Sequence, residues 1–221
     1  KKKKLNLSEK KQLLTKNNFS KNRKNILFAP TYDAFGPNRF LPNSFGDQIK
    51  AIEEISNFVN FNLNCNFIIK LHHYHYSYLK NFDLKKLGNK KNIMLFRVKK
   101  FHDVQESENI IRLSDIIITD TSGVGSLGIF LGKKIIFLEP ESHFNWKDAD
   151  IESDLRPGYV CKKYVDLFKA LKKYSKSKDI FYIKRKNFVK KIFFKHKKDA
   201  CNEILKYINK IIQMQKFKIN V

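Results

Sequence analysis

Acidic residues, glycine, proline and sulfur are all scarce in this chain. Asp and Glu together number 21 against 45 Lys and Arg in 221 residues, and there are only 8 Gly, 5 Pro, 3 Cys, 2 Met and 1 Trp. Cys65, Cys161 and Cys201 lie far apart without C-x-x-C spacing, so neither a disulfide framework nor a zinc cluster is encoded, and buried reduced thiols are expected. No run of about eighteen apolar residues occurs, which excludes a spanning helix, and Lys1 to Leu14 has no signal-peptide core. The chain is therefore expected to be soluble and cytoplasmic. Arg and aromatic residues do not interleave in a stripe and no helix-turn-helix or RNA-binding signature is visible, so specific nucleic-acid recognition is not expected. No methionine opens the chain, Met94 and Met214 being the two present, and a fragment of a longer protein is expected.

What is abundant is positive charge, +24 at neutral pH. A field of that sign attracts nucleic acid, anionic lipid or phosphorylated substrates. Lys far outnumbers Arg, however, and Asn, Ile and Phe are frequent, a bias that AT-rich coding produces without selection for binding. Composition leaves both readings open.

Residues 1–24 form a basic, weakly patterned segment, read as a linker or the remnant of an upstream helix that adds nothing to the core. From Asn25 short apolar runs alternate with helical patterns. Ile26 to Ala29, Phe67 to Leu71, Ile93 to Phe96, Asp115 to Asp120, Ile135 to Leu138 and Tyr159 to Cys161 read as strands. Between them, Ser44 to Asp47 has capping-box spacing ahead of Ile49, Ile52, Ile55 and Val59 on one helical face. Val104 to Leu113, Val124 to Leu131 closed by Gly132, and Tyr164 to Tyr174 read as further helices. This alternation predicts an α/β fold, a Rossmann-like parallel sheet with helices on both faces, over residues 25–183. Residues 184–221 are expected to be amphipathic helices closing the domain.

In such a sheet the ligand sits outside the carboxyl ends of the strands. Four ends carry candidates. After the first strand come Pro30, Thr31 and Tyr32, with Thr31 able to bond a phosphate or base. After the second come Lys70 and then His72, His73 and His75; a metal pair is conceivable there, but no further ligand recommends itself, and His72 acting alone on a phosphate or proton is the favoured reading. The third end is the most specific: Asp120, Thr121, Ser122, Gly123 and Val124 turn a strand into a helix, aiming free N–H groups and the positive helix end at one point, while Thr121 and Ser122 add hydroxyls. The plain alternative is that one of those hydroxyls only caps the helix. This segment is read as neither a P-loop nor G-x-G-x-x-G, so neither ATP nor NAD use is expected. At the fourth end Glu139 could accept from ribose hydroxyls.

In this order the segments resemble the C-terminal, donor-binding domain of the CDP-glycerol glycerophosphotransferase family, of two-domain GT-B fold. The resemblance rests on Ala29-Pro30-Thr31-Tyr32, on Lys70-Leu71-His72 as a Lys-x-His turn, on Ser114 to Ser122 as Ser-Asp-x-x-Ile-Thr-Asp-x-Ser, on Gly132 to Phe137, and on Pro157-Gly158-Tyr159-Val160. It runs from about Asn25 to Ile212. Thr121-Ser122-Gly123 departs from the family's Tyr-Ser-Ser, and His73 stands where Pro is usual. The resemblance implies attack of a membrane-linked polymer acceptor on the β-phosphorus of CDP-glycerol or a related CDP-activated donor, releasing CMP. His72, Thr31, Thr121, Ser122 and the Gly123 and Val124 amides would neutralise the leaving charge, with no metal or cofactor beyond the donor. The family's second catalytic His lies in a His-Gly motif of an N-terminal domain that this sequence lacks, so the chain is expected to hold the donor and to need an upstream GT-B partner. Its lysines would rest on an anionic membrane surface at the cytoplasmic side. A nucleotide-sugar glycosyltransferase or UDP-sugar 2-epimerase of the same fold is the alternative enzyme, and a non-catalytic anion-binding domain the alternative of another class.

Overall fold

Strands covered on both faces need apolar residues at every position, not at alternate ones, and the apolar runs of this chain meet that demand. The computed structural model describes residues 12, 14–15, 19–31, 43–46, 48–72, 92–96, 104–120, 122–139, 156–176 and 179–193. Within them the runs form six strands: β1 (Lys24–Phe28), β2 (Cys65–Lys70), β3 (Ile93–Phe96), β4 (Ile116–Thr119), β5 (Lys134–Leu138) and β6 (Tyr159–Cys161). They line up in the order β3-β2-β1-β4-β5-β6, every neighbouring pair parallel.

Parallel neighbours require helical crossovers. Among the described residues these are α1 (Gln48–Asn62), α2 (Val104–Leu113) and α3 (Gly123–Phe130), with α4 (Tyr164–Lys176) and α5 (Tyr182–Phe193) following the last strand. Alternation along each strand divides the core in two. Ile26, Phe28, Phe67, Ile69, Ile116, Ile118, Ile136 and Leu138 face α1 and α4, which contribute Ile52, Ile55, Val59, Leu167 and Leu171. Leu27, Ile68, Ile117, Ile135 and Phe137 face α2, α3 and α5, which contribute Ile110, Ile111, Ile129 and Val189. Leu14 and Phe19 lie in this second cluster, 2% and 5% exposed. The segment read as a coreless linker therefore supplies core, and β1 begins one residue inside it. No apolar period marks those two residues among their lysines, which is why the sequence hides them.

Two further local readings change. Ser44 does not cap α1; it sits in a 3-10 turn, Asn43–Phe45, and its hydroxyl donates to the Lys162 carbonyl at 2.6 Å. The C-terminal helix starts at Tyr182, ahead of the expected 184, and residues 194–221 lie outside the described part. Gly132 does close its helix, in the left-handed region at φ 76°. Cys65 and Cys161 are buried free thiols, burial pushing Cys161 up to about 12.

Some of the positive charge has structural work at the amino edge of the sheet. Lys24 and Lys134 donate to the Ser175 and Tyr174 carbonyls at 2.5 and 2.9 Å, and Lys133 donates to the Arg112 carbonyl at 2.5 Å. These carbonyls end α4 and α2, where cations suit the helix dipole. Arg185, 2% exposed, binds the Asp179 carboxylate and the Pro157 carbonyl, tying α5 to the chain entering β6. Arg185→Ala is expected to destabilise the fold by about 3 kcal/mol, since it strands a carboxylate and a buried carbonyl. Chemical denaturation would measure it, and a loss below about 1 kcal/mol would contradict that role.

Candidate functional site

The strand order reverses direction between β1 and β4, and it is there, at their carboxyl ends, that an open α/β sheet leaves a crevice. A cleft of about 300 Å³ occupies this place, lined by Ala29, Pro30, Thr31, Lys70, His72, Ser122, Gly123 and Val124. Three strand ends thus converge on one space: β1 brings Pro30 and Thr31, β2 brings Lys70 and His72, and β4 opens into α3.

The β1 and β4 ends are stitched together. The Ala29 amide donates to the Ile118 carbonyl at 2.9 Å, and the Thr119 hydroxyl donates to the Ala29 carbonyl at 2.8 Å. Beyond them Asp120, 3% exposed, accepts the Thr31 amide at 2.9 and 2.8 Å on its two oxygens and the Thr31 hydroxyl at 2.6 Å. It also accepts the Ser122 amide at 3.0 Å. Burial pushes its carboxyl up to about 6, against the bonds from Thr31 and Ser122 that favour the carboxylate. Gln48, at the start of α1, donates to the Thr31 carbonyl at 3.2 Å.

Ser122 is the N-cap of α3, its oxygen accepting the Val124 amide at 3.3 Å, so the plain capping role is real. The hydroxyl proton is not consumed by that bond and can be offered to the cleft. Lys70 is drawn below its ordinary value by burial. A half-buried ammonium of that kind favours an arriving anion, whose charge would offset the desolvation.

Contrary to its reading in the sequence, the segment opening α3 does carry G-x-G-x-x-G spacing, at Gly123, Gly125 and Gly128. The three have different reasons to be glycine. A Cβ on Gly123 would meet nothing within 4 Å, one on Gly125 would lie 3.0 Å from Thr119 Cγ2, and one on Gly128 would lie 2.6 Å from Ile117 Cδ1. The first leaves the helix end open to the cleft, and the third lets α3 pack closely on the sheet, as in dinucleotide-binding turns. Here the turn follows the fourth strand, not the first.

Of the other residues expected at the site, Tyr32, Thr121, His73 and His75 lie outside the described residues. Asp120 does not line the cleft. Glu139 stands at the end of β5 and does not line this cleft: its amide donates to the Cys161 carbonyl at 3.0 Å, and its carboxylate faces Arg156 at 3.9 Å. Arg156, 3% exposed, lies with its guanidinium 5.6 Å from the centre of the Phe137 ring. Arg156 and Gln48 went unnoticed in the sequence because their partners lie 17 residues away in each case and no motif joins them.

The model of the CDP-glycerol:poly(glycerophosphate) glycerophosphotransferase family matches residues 2–210. The chain belongs to this family. The match includes the basic amino-terminal segment, in keeping with the buried Leu14 and Phe19. No curated protein matches the chain by sequence search. Among solved structures, the wall teichoic acid polymerase TagF, in a variant soaked with CDPG, superposes with a TM-score of 0.57 at 19% identity, covering 95% of this chain and 46% of that one. Staphylococcus aureus MnaA with UDP gives 0.52 at 16% identity, covering 78% of this chain and 42% of that chain. Escherichia coli ADP-heptose heptosyltransferase II gives 0.52 at 13%, with coverages of 77% and 52%. The glycerophosphotransferase-family chain spans about half the length of these structures, and its fold is a Rossmann-like domain of the GT-B kind.

Proposed function

We propose that this chain forms the donor-binding part of a transferase that moves glycerol phosphate, or a related polyol phosphate, from a CDP-activated donor to a polymer acceptor. The observation that carries the reading is the cleft at the β1–β4 switch point in a chain matched by this family: Lys70, His72, Ser122 and the open end of α3 surround one space of about 300 Å³. Such a set suits a pyrophosphate, with cationic and amide donors placed where charge grows as CMP departs. His72 is assigned the proton or hydrogen bond given to the leaving phosphate, and Lys70 the neutralising charge. Tyr32 and Thr121 are retained as donor contacts, and Glu139 as a ribose acceptor once its pairing with Arg156 yields. No metal enters this account. An upstream GT-B domain supplies the acceptor side, and the acceptor is membrane-linked. Exposed lysines hold the protein at the anionic cytoplasmic face, at about 1 kcal/mol for each well-placed one.

Calorimetric titration of the chain with CDP-glycerol, CMP and UDP-sugars tests this. Cytidine-selective binding, weakened about fivefold to tenfold by Ser122→Ala, is expected, as befits one hydrogen bond to a charged group. Selective binding of UDP-sugars would transfer the chain to the glycosyltransferase or epimerase reading. An absence of any nucleotide binding would sink both.

A further inference from the structure

Single exposed apolar side chains are ordinary on a protein surface, but a group of them beside a cationic cleft is not. Among the described residues, the large apolar side chains left exposed include Ile180, Tyr182 and Ile183, at 69%, 56% and 62%, three within four positions. They occupy the turn entering α5 and the first two residues of that helix. The segment from Ile180 to Phe193 carries four lysines and Arg185 and no acidic residue. Asp179, just ahead of it, is paired with Arg185.

Helical spacing brings the two kinds of group together. Tyr182, Lys186 and Lys190 recur every four residues, so they follow one another up one side of α5, with Ile183 beside them. The same three line a cleft of about 280 Å³ whose buried wall includes Ile129 and Val189. We infer that this corner of α5 is a docking surface for an anionic lipid bilayer. Ile180, Tyr182 and Ile183 enter the boundary between headgroups and acyl chains, while Lys186 and Lys190 hold lipid phosphates at the cleft. The inference takes the anionic membrane surface from the proposed function and gives it one face of the molecule; it does not depend on which nucleotide is bound.

The chemistry of the set favours that occupant. Isoleucine is freed of water at the boundary, and tyrosine keeps its hydroxyl among the headgroups. The lysines lay their methylene stems along apolar surface with the ammonium outward. A protein partner fits less well, because lysine is depleted from the buried centre of such interfaces. The upstream domain of the proposed transferase belongs across the donor cleft, at the carboxyl ends of the strands. This corner lies instead by Gly132 and Pro157, which precede β5 and β6 at the amino edge. Membrane contact and donor binding thereby fall at opposite edges of the sheet, and a nucleotide in solution can reach the cleft of a docked molecule.

Cosedimentation of the 221-residue chain with vesicles decides the matter. Wild type is expected to bind phosphatidylcholine vesicles containing about one third phosphatidylglycerol at least about tenfold more tightly than phosphatidylcholine alone. Lys186→Gln with Lys190→Gln is expected to weaken that binding about twentyfold, from about fivefold for each well-placed cation. Ile180→Ser with Ile183→Ser is expected to weaken it about tenfold, a loss that persists when salt screens the charges. All four side chains are exposed, so neither double variant is expected to shift the melting temperature. Lys162→Gln with Lys163→Gln removes the same charge from exposed positions beyond β6 and is expected to change binding less than about threefold. An equal loss from that pair would make the attraction a property of net charge and overturn the assignment. Wild-type vesicle binding by the serine variant, or no vesicle binding by the wild type, would overturn it as well. Self-association lost in the serine variant while vesicle binding stays would give the face to a second copy of the chain. CDP-glycerol titration of the same variants is expected to match wild type, so a failure of docking and a failure of the donor reading are told apart.

Discussion

Gly158→Ala is expected to leave the chain largely unfolded at temperatures the native protein survives. A Cβ at this position would stand 2.2 Å from the Ile135 carbonyl oxygen, 3.0 Å from its carbon and 3.2 Å from the Phe137 ring. The nearest of these contacts is backbone in the middle of β5, which cannot swing aside as a side chain would. Relief requires β6 to lift off β5, breaking the pairing of Tyr159 with Ile136 and of Val160 with Phe137. It would also disturb the Tyr159, Tyr174 and Phe181 ring cluster and the Arg185 bond to Pro157. Overpacking of this severity costs about 3 kcal/mol or more, equivalent to roughly 6–12 °C in melting temperature for a domain of this size. Gly123→Ala is the control, because nothing lies within 4 Å of its Cβ. That substitution is expected to be neutral or to stabilise slightly, as alanine does in a helix, and to change ligand binding alone. A Gly158→Ala protein that melts within about 2 °C of wild type would show that β6 yields at little cost.

The strands were readable because a parallel sheet covered on both faces demands unbroken apolar runs, and Ile116–Thr119 and Lys134–Leu138 carry that demand in their own letters. Helices with one buried stripe were readable for the same reason, since Ile52, Ile55 and Val59 recur at helical spacing. The place of the site followed from topology, as the ends of β1, β2 and β4 meet wherever such a sheet reverses. What the letters could not show was the direction of bonds. Thr31 and Asp120 both read as ligand groups, yet they bond each other across 89 residues, and nothing local distinguishes a threonine that donates to a phosphate from one that has given its proton to a neighbour. Glu139 is a similar case, its carboxylate facing an arginine 17 residues further along the chain. Leu14 and Phe19 were hidden for a different reason: two apolar residues among lysines have no period, and only the finished sheet shows a surface for them. The glycines of α3 had the spacing in plain view, but spacing alone does not say that Gly128 answers to packing and Gly123 to the cleft.

His72→Ala is expected to lower the turnover of glycerol-phosphate transfer about a hundredfold to ten-thousandfold, with a smaller change in KM, when transfer is assayed with the protein and its acceptor. His72 lines the cleft two residues beyond Lys70, facing the residues that open α3. Burial lowers Lys70, but an anion arriving beside it favours the charged ammonium again, so it is assigned a field and not a proton. Ser122 and the helix end supply hydrogen bonds, which steady charge without removing it. Among the described residues lining the cleft, the imidazole alone has an ordinary titration range that lets it both give and regain a proton near neutral pH. A group acting on the departing phosphate changes the transition state more than the bound donor, hence the larger effect on turnover. His72→Gln separates two ways of doing this. Glutamine keeps a hydrogen-bond donor but cannot transfer a proton, so activity recovered to within about tenfold of wild type would make His72 a hydrogen-bond donor only. Activity as low as that of His72→Ala would make it the acid. Should His72→Ala itself turn over within about threefold of wild type, the leaving phosphate must be served from another strand end, and the assignment of this imidazole to the reaction would fall.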